Sequence, residues 1–286
     1  MTPADSIGPA DTSTPTVVEI DGFRCYAPEL ALGCADYPGE GFDVTAEVEA
    51  KSFWCRSRNR ILRRVVERFT DRSRELAMLE IGCGIGGVIG ELRQIPNLRL
   101  TASEIYVQGL RYARSRFPDV DFIQLDAADI PFDGQFDIVG AFDVLEHIQA
   151  DDRVMHGVHQ ALRPGGVFIM TVPQYQWLWS PLDEIVQHKR RYGRIELLRK
   201  LRRNDFDVLF CSSFVTALFP AMAASRLLAR TRATKSDTKA AFASQVTLSA
   251  AANRFCDLVM RIDELALRAG VSLPFGGSLL VVARKP

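Results

Sequence analysis

The stretch Met78-Leu79-Glu80-Ile81-Gly82-Cys83-Gly84-Ile85-Gly86-Gly87 constrains the fold more than any other part of this chain. An apolar run of strand length ends in an acid, and closely spaced glycines then open a helical pattern. Glycine lets a loop turn tightly and brings backbone N–H groups close to a ligand, while the following helix presents its N-terminus to polar groups. The pattern is that of a ligand-binding strand–loop–helix. A plain glycine-rich turn carries the same letters, so its weight depends on the sequence around it.

That surrounding sequence alternates regularly. Ala77 to Ile81 reads as a strand, and a helix from about Gly87 to Gln94 stops before Pro96. Leu98 to Ser103 is the second strand, ending in Glu104, with a helix starting near Tyr106. Val120 to Gln124 is the third strand and Phe136 to Phe142 the fourth. A helix from Asp151 to Leu162 ends at Arg163-Pro164-Gly165-Gly166, which turns the chain into a fifth strand, Val167 to Val172. Such β–α alternation, five strands long, requires a parallel sheet with crossover helices on both faces and ligands at the carboxyl ends of the strands.

The glycines fit two ligand classes. Gly82, Gly84 and Gly87 match the dinucleotide pattern, and Gly82, Gly84 and Gly86 match the tighter pattern that binds S-adenosylmethionine (SAM). Glu80 discriminates between them. A carboxylate two places before the first glycine suits a cationic α-amino group and sits badly beside a pyrophosphate. Glu104, at the end of the second strand, stands where an acid meets ribose hydroxyls in nucleotide-binding α/β folds, and equally where it would cap the next helix.

Glu80-Ile81-Gly82-Cys83-Gly84, Glu104, Leu125 to Phe132, Phe136 to Ile148 and Leu162 to Gly166, taken together, resemble the class I SAM-dependent methyltransferases. Within them the chain is similar to the small-molecule branch that includes the ubiquinone-type O-methyltransferases. The resemblance covers roughly residues 50–213. It implies a seven-stranded, doubly wound, Rossmann-like α/β sheet whose last two strands form an antiparallel pair. It also implies that Glu80 faces the SAM amino group and the backbone from Gly82 through Cys83 and Gly84 to Gly86 the methionine part. Glu104 would hold the ribose, with Ile105 against the adenine, Asp126 accepting from its amino group, Ala127 beside it and Phe142 on the methionine side. Asp143, Glu146 and His147 form a D-x-x-E-H set similar to the metal-binding segment of that branch. They serve as ordinary helix caps too, and no metal is assigned.

After the fifth strand come Tyr175, Trp177 and Trp179, and then His188-Lys189-Arg190-Arg191. This loop leaves the carboxyl edge of the sheet, so it is expected to form a substrate wall, with the aromatics against an apolar or planar group. Arg190 and Arg191 suit a carboxylate or phosphate on the substrate. His188 is the expected general base and His147 its rival, because His156 and His159 fall on a helix away from the carboxyl edge.

The remaining segments are read by pattern. Residues 1–16 are expected to be a disordered tail, and 17–43 a small hairpin around Asp21-Gly22 with a turn-rich stretch after it. Residues 44–214 are expected to be the SAM-binding core, with one or two N-terminal helices over 44–69. Asp207 to Phe214 reads as the sixth strand, and 276–286 contain the last. Residues 215–275 then form a helical insertion that serves as a lid, a homodimer contact or a membrane-leaning element. The membrane reading rests on Arg226, Arg230, Arg232 and Lys235 beside apolar Phe214 to Leu228.

Composition narrows the partners. The formal charge is zero, so no nucleic-acid partner is expected, although the first fifty residues hold ten acids against Arg24 alone and residues 186–203 hold eight bases against Glu196. Six cysteines without CxxC pairs, and no apolar leader after Met1, read as a reduced cytoplasmic protein, membrane-associated if the insertion leans on a bilayer. The function expected is transfer of a methyl group from SAM to a small-molecule or lipid-like acceptor, with oxygen favoured. The alternatives are a nucleotide-dependent oxidoreductase and a protein that binds the cofactor without turnover.

Overall fold

The computed structural model describes residues 17–33, 49, 52–71, 73–231 and 248–286. Nine strands form one sheet: β1 (Val18–Ile20), β2 (Phe23–Cys25), β3 (Leu76–Ile81), β4 (Leu98–Glu104), β5 (Asp121–Gln124), β6 (Phe136–Phe142), β7 (Leu162–Pro173), β8 (Asp207–Phe214) and β9 (Ser278–Arg284). Their order is β1-β2-β5-β4-β3-β6-β7-β9-β8. Neighbours from β2 across to β7 run parallel, whereas β9 runs antiparallel to both β7 and β8. The ligand edge therefore lies at the carboxyl ends of β3, β4, β5 and β6.

The expected seven strands are β3 to β9, and the sheet is larger by the N-terminal hairpin. Asp21 and Gly22 both take left-handed backbone (φ +55° and +74°), as a two-residue hairpin turn requires. The second hairpin strand then extends the sheet through Arg24↔Ile123 and Cys25↔Gln124. The buried Gln124 amide fixes this edge, accepting from the Ala27 N–H at 3.0 Å and donating to the Ala27 carbonyl at 2.9 Å.

Nine helices are described: α1 (Pro28–Ala31), α2 (Phe53–Phe69), α3 (Ile89–Leu92), α4 (Val107–Arg116), α5 (Asp151–Ala161), α6 (Pro181–Ile185), α7 (Arg194–Arg203), α8 (Phe219–Thr231) and α9 (Ala250–Arg268). On one face Met78, Ile138 and Ile169 pack with α2, α3, α4 and α9. On the other, Leu79, Val139 and Phe168 pack with α5 and α7. Every residue of β3 and β6 is buried, which is why these strands read as continuous apolar runs rather than alternating ones.

Two local expectations change. Only Ile89–Leu92 is helical after the glycine loop, because Gly84 and Gly86 (φ +55° and +83°) hold the chain out of helical backbone up to that point. Arg163 to Gly166 is an excursion within β7 rather than a separate turn. Pairing jumps from Phe136↔Leu162 to Ile138↔Val167, and the excursion is closed by 2.9 Å bonds from the Gly165 N–H to the Lys285 carbonyl and from the Lys285 N–H to the Gly166 carbonyl.

In the 215–275 segment, α8 and α9 are the described elements, and α9 packs along α2. Asn253 accepts the Phe53 N–H at 2.7 Å, and the Ser57 hydroxyl donates to Glu264 at 3.0 Å. The expected tail 1–16, much of the turn-rich stretch, residues 44–48 and the linker with Arg232 and Lys235 lie outside the described residues. Among the described residues no helix is long and apolar enough to cross a membrane.

Candidate active site

A cleft of about 340 Å³ opens at the carboxyl ends of the central strands. Its floor is the glycine loop. Gly82 has φ +67°, and a Cβ there would stand 2.7 Å from the Val144 side chain, so both backbone and space demand glycine. Gly84 also has positive φ and nothing within 4 Å of the position a Cβ would take, which leaves the floor bare. Glu104 ties the loop to β4: its carboxylate accepts from the Gly84 N–H at 3.0 Å and the Ile105 N–H at 2.8 Å. Burial raises the Glu104 pKa, against those N–H bonds.

Glu80 lies beneath this floor with 2% of its surface exposed. Burial pushes its pKa up to about 8, opposed by the charge of Arg58. Its Oε2 has no hydrogen-bond partner among the described residues. A buried carboxyl oxygen without a partner costs stability until a donor meets it, and an ammonium group supplies both the donor and the charge. The residues present thus fit the amino-acid end of SAM.

Gly82, Gly84, Glu104, Ile105, Asp126 and Ala127 all line the cleft. Asp126 is held by an Asx turn, its Oδ1 accepting the Ala128 N–H at 2.9 Å. Cys83, Gly86 and Phe142 are placed elsewhere. Cys83 is buried on the α2 side with its thiol toward the Gly84 carbonyl, and Gly86 packs beside Phe117. Phe142 folds back over Gly140, where a Cβ would come within 2.6 Å of its ring, and joins the core with Met78 instead of walling the cleft.

The D-x-x-E-H set does not converge. Asp143 adopts left-handed backbone (φ +59°), and its carboxylate pairs with the buried Arg58 of α2 at 2.7 Å. The chain then makes one 3₁₀ turn, Leu145–His147, rather than the helix expected to begin there. The atoms that come together, within 4.8 Å of one another, belong to Glu146, His147 and His188. Burial first, and then Asp143, raise the Glu146 pKa well above the carboxylate range, and its Oε2 has no partner among the described residues.

His147 lines the cleft. Packing around its ring, then the charges of His188 and Lys189, hold it below the usual imidazole range, although part of the ring meets solvent. His188 is not among the lining residues. Its ring packs edge-on to that of His147, with centroids 4.8 Å apart. His188 Nδ1 lies 2.9 Å from Asp183 Oδ1 and Nε2 3.8 Å from Glu146 Oε1. Burial works against the Asp183 charge, but hydrogen bonds from His188 and Arg191 outweigh it and keep the carboxyl ionised well below the usual range.

The expected substrate wall is built differently. Tyr175 and Trp177 stack at 5.7 Å and both meet Phe219 of α8, which in turn meets Phe275. These rings fasten the loop to the insertion, and Trp179 donates to Glu184 at 3.4 Å. Arg191 is buried and bonded to Asp183 at 2.7 Å, and Arg190 pairs with Asp151 at 3.0 Å. Arg226 also turns inward, to the Ser180 hydroxyl and Asp183. Val186, Gln187 and Lys189 line the cleft instead. Sequence reasoning also missed Glu49, which lines the cleft, and Arg58 and Asp183, because a charged residue on a helix reads as a solvated face until the fold brings its partner to it.

A protein-family model described as a methyltransferase domain matches residues 79–170. A probable S-adenosylmethionine-dependent methyltransferase of Mycolicibacterium smegmatis is 26% identical over 184 residues, spanning 63% of this chain and 69% of that protein. The ubiquinone biosynthesis O-methyltransferase of Azotobacter vinelandii is 32% identical over 104 residues, 33% of this chain and 44% of its own length. Among solved structures, phosphoethanolamine N-methyltransferase 2 of Haemonchus contortus, in complex with S-adenosyl-L-methionine, superposes with a TM-score of 0.58 at 17% identity. That match covers 88% of this chain and 58% of the other, a likeness of fold.

Proposed function

This chain is a class I SAM-dependent methyltransferase, and we propose that it methylates a small-molecule acceptor, at oxygen in preference to nitrogen or carbon, beside His147. The observation that carries this reading is an imidazole on the cleft wall backed by a second imidazole and a buried carboxylate. A neutral amine attacks through its free lone pair, whereas a hydroxyl must lose a proton, and a neutral histidine at the wall suits the hydroxyl. Ile148 and Val186 give that part of the cleft apolar sides, and Lys189 gives it one cation.

Glu80 faces the SAM ammonium from below the loop, and the backbone from Gly82 to Ile85 runs along the methionine part. Glu104 takes the ribose hydroxyls, Asp126 the adenine amino group, and Ile105 and Ala127 the flat faces of the base. When bound, SAM supplies a methyl group already activated on a sulfonium, so the protein's main task is alignment. The hydride-transfer alternative has no role for Glu80.

His147 accepts the acceptor's proton at its cleft-side nitrogen and passes it to water at the exposed edge of its ring. His188 is a positioning residue. Asp183 is ionised and can only accept, so the His188 Nδ1 carries the hydrogen, and Nε2 stands 3.8 Å from Glu146. Burial holds the Glu146 carboxyl protonated beside it. His188 holds the His147 ring edge-on, with centroids 4.8 Å apart.

The test is incubation with methyl-labelled SAM and a small-molecule extract of the source cell, and then location of the label in the product. Label on an oxygen supports the reading. Label on nitrogen or carbon, at a rate unchanged by His147→Ala, contradicts it.

A further inference from the structure

Helix α9 carries its charges and its apolar residues on unexpected sides. Its three acids turn inward: Asp257 and Glu264 pair with Arg60 of α2 at 3.0 and 2.5 Å, and Asp263 accepts the Thr216 N–H at 2.6 Å. Outward stand Phe255 (64% exposed), Leu258 (69%), Ile262 (61%) and Leu265 (63%). Their spacing of three and four residues places them in one stripe along the helix. Arg254, Arg261 and Arg268, seven residues apart, are all exposed and run along one flank of it. Such a row of large apolar side chains is rarely left in water without a function.

We propose that this face docks peripherally on an anionic lipid surface, with α9 lying in the plane of the interface. The inference is independent of the methyl-transfer reading. Charge decides the occupant. All three acids of the helix face the protein and all three arginines face out; among the described residues only Arg261 reaches back to an acid, Glu264, at 3.3 Å. A symmetric second copy would press arginine against arginine with no exposed acid of this helix to meet them. Anionic headgroups answer the arginines, and the boundary of the acyl region takes Phe255, Leu258, Ile262 and Leu265. The inward ion pairs fix the helix against α2, so it lies on the surface rather than crossing it. The face differs from the one expected on α8, where Arg226 is engaged with Ser180 and Asp183.

The experiment is sedimentation of the full chain with vesicles of phosphatidylcholine, with and without about a quarter phosphatidylglycerol, at low and high salt. Binding to the anionic vesicles, weakened by salt, is expected. Each basic residue near such a surface is worth about 1 kcal/mol, about fivefold, so replacing Arg254, Arg261 and Arg268 by Gln should weaken binding about 100-fold. Leu258→Gln with Ile262→Gln should abolish it. SAM affinity measured by calorimetry should stay unchanged in both variants, which shows that they are folded. No binding at low salt, or equal binding to both vesicle types, overturns the proposal. A dimer in solution that dissociates in the Leu258→Gln, Ile262→Gln variant and excludes vesicles assigns the face to a second copy and overturns it too.

Discussion

Asp183 Oδ1 stands 2.9 Å from His188 Nδ1 and 2.7 Å from Arg191 Nε. One buried carboxylate thereby orients the His188 ring and neutralises the arginine next to it. Through Arg226 the same carboxylate reaches the 215–275 segment.

Asp183→Asn should therefore act on rate more than on affinity. The amide oxygen still accepts, but the lost charge leaves Arg191 buried without its anion and loosens the His188 ring. A misplacement of about 1 Å near the reacting atoms costs up to about 10²-fold, so kcat should fall about 10–100-fold while SAM affinity stays within about twofold. His147→Ala should cost about 10²-fold or more. Steady-state kinetics and calorimetry on both variants check this. An Asp183→Asn enzyme with normal kcat would leave the carboxylate a purely structural role.

With Glu80 facing the ammonium as proposed, SAM binding should depend on pH. Its carboxyl is raised from 4.5 to about 8 in the folded protein without cofactor, so the folded state binds the extra proton between those values. Stability of the cofactor-free protein should fall as pH rises through that window. An arriving ammonium favours the carboxylate, so binding at about pH 7 should release nearly one proton, and affinity should climb roughly tenfold per pH unit up to about pH 8. Calorimetry in buffers of different ionisation enthalpy counts the proton. Glu80→Gln should bind SAM more weakly and release none; proton release persisting in that variant would remove Glu80 from the site.

The histidine pair should function without a metal. Asp143 is committed to Arg58, and the His188 Nδ1 to Asp183. Full activity after exhaustive chelation is expected. Activity lost on chelation and restored by a divalent ion would instead make Glu146, His147 and His188 ligands.

Gly82→Ala should destabilise through two named features, its left-handed backbone and the Val144 side chain 2.7 Å away. Overpacking of this kind costs about 1–3 kcal/mol, with about 1 kcal/mol more for the backbone. Thermal unfolding reads the loss. Adding Val144→Ala should recover the packing part but not the backbone part, and no recovery would mean that the clash is relieved elsewhere.

The sheet was legible because most strands from β3 to β9 are either buried on both faces, as β3, β6 and β9 are, or closed by an acid or proline, as β4 is by Glu104 and β7 by Pro173. The floor of the cleft was legible for the same reason: Gly82, Gly84, Glu104 and Asp126 lie within a few residues of their strand ends, so linear order places them. The acceptor side was not. His147 and His188 are far apart in the chain, and which of them reaches the cleft depends on the 3₁₀ turn at Leu145–His147 and on Asp183 drawing His188 back. Trp177, Arg190 and Arg191 have the residue types of a binding wall, yet Phe219, Asp151 and Asp183 claim them. Long-range partners of that sort leave no local trace in a sequence. The hairpin strand β2 joined the sheet through Gln124, a polar residue whose buried clamp no periodicity reveals.

Single-turnover transfer from methyl-labelled SAM to the acceptor found in the extract, with wild type and His147→Ala compared at saturating cofactor, bears most closely on the proposed chemistry. Rapid labelling of an oxygen is expected from the wild type, and from His147→Ala a rate lower by about 10²-fold with cofactor affinity retained. Equal single-turnover rates in the two proteins would contradict a proton-accepting role for His147 and, with it, the proposed reaction.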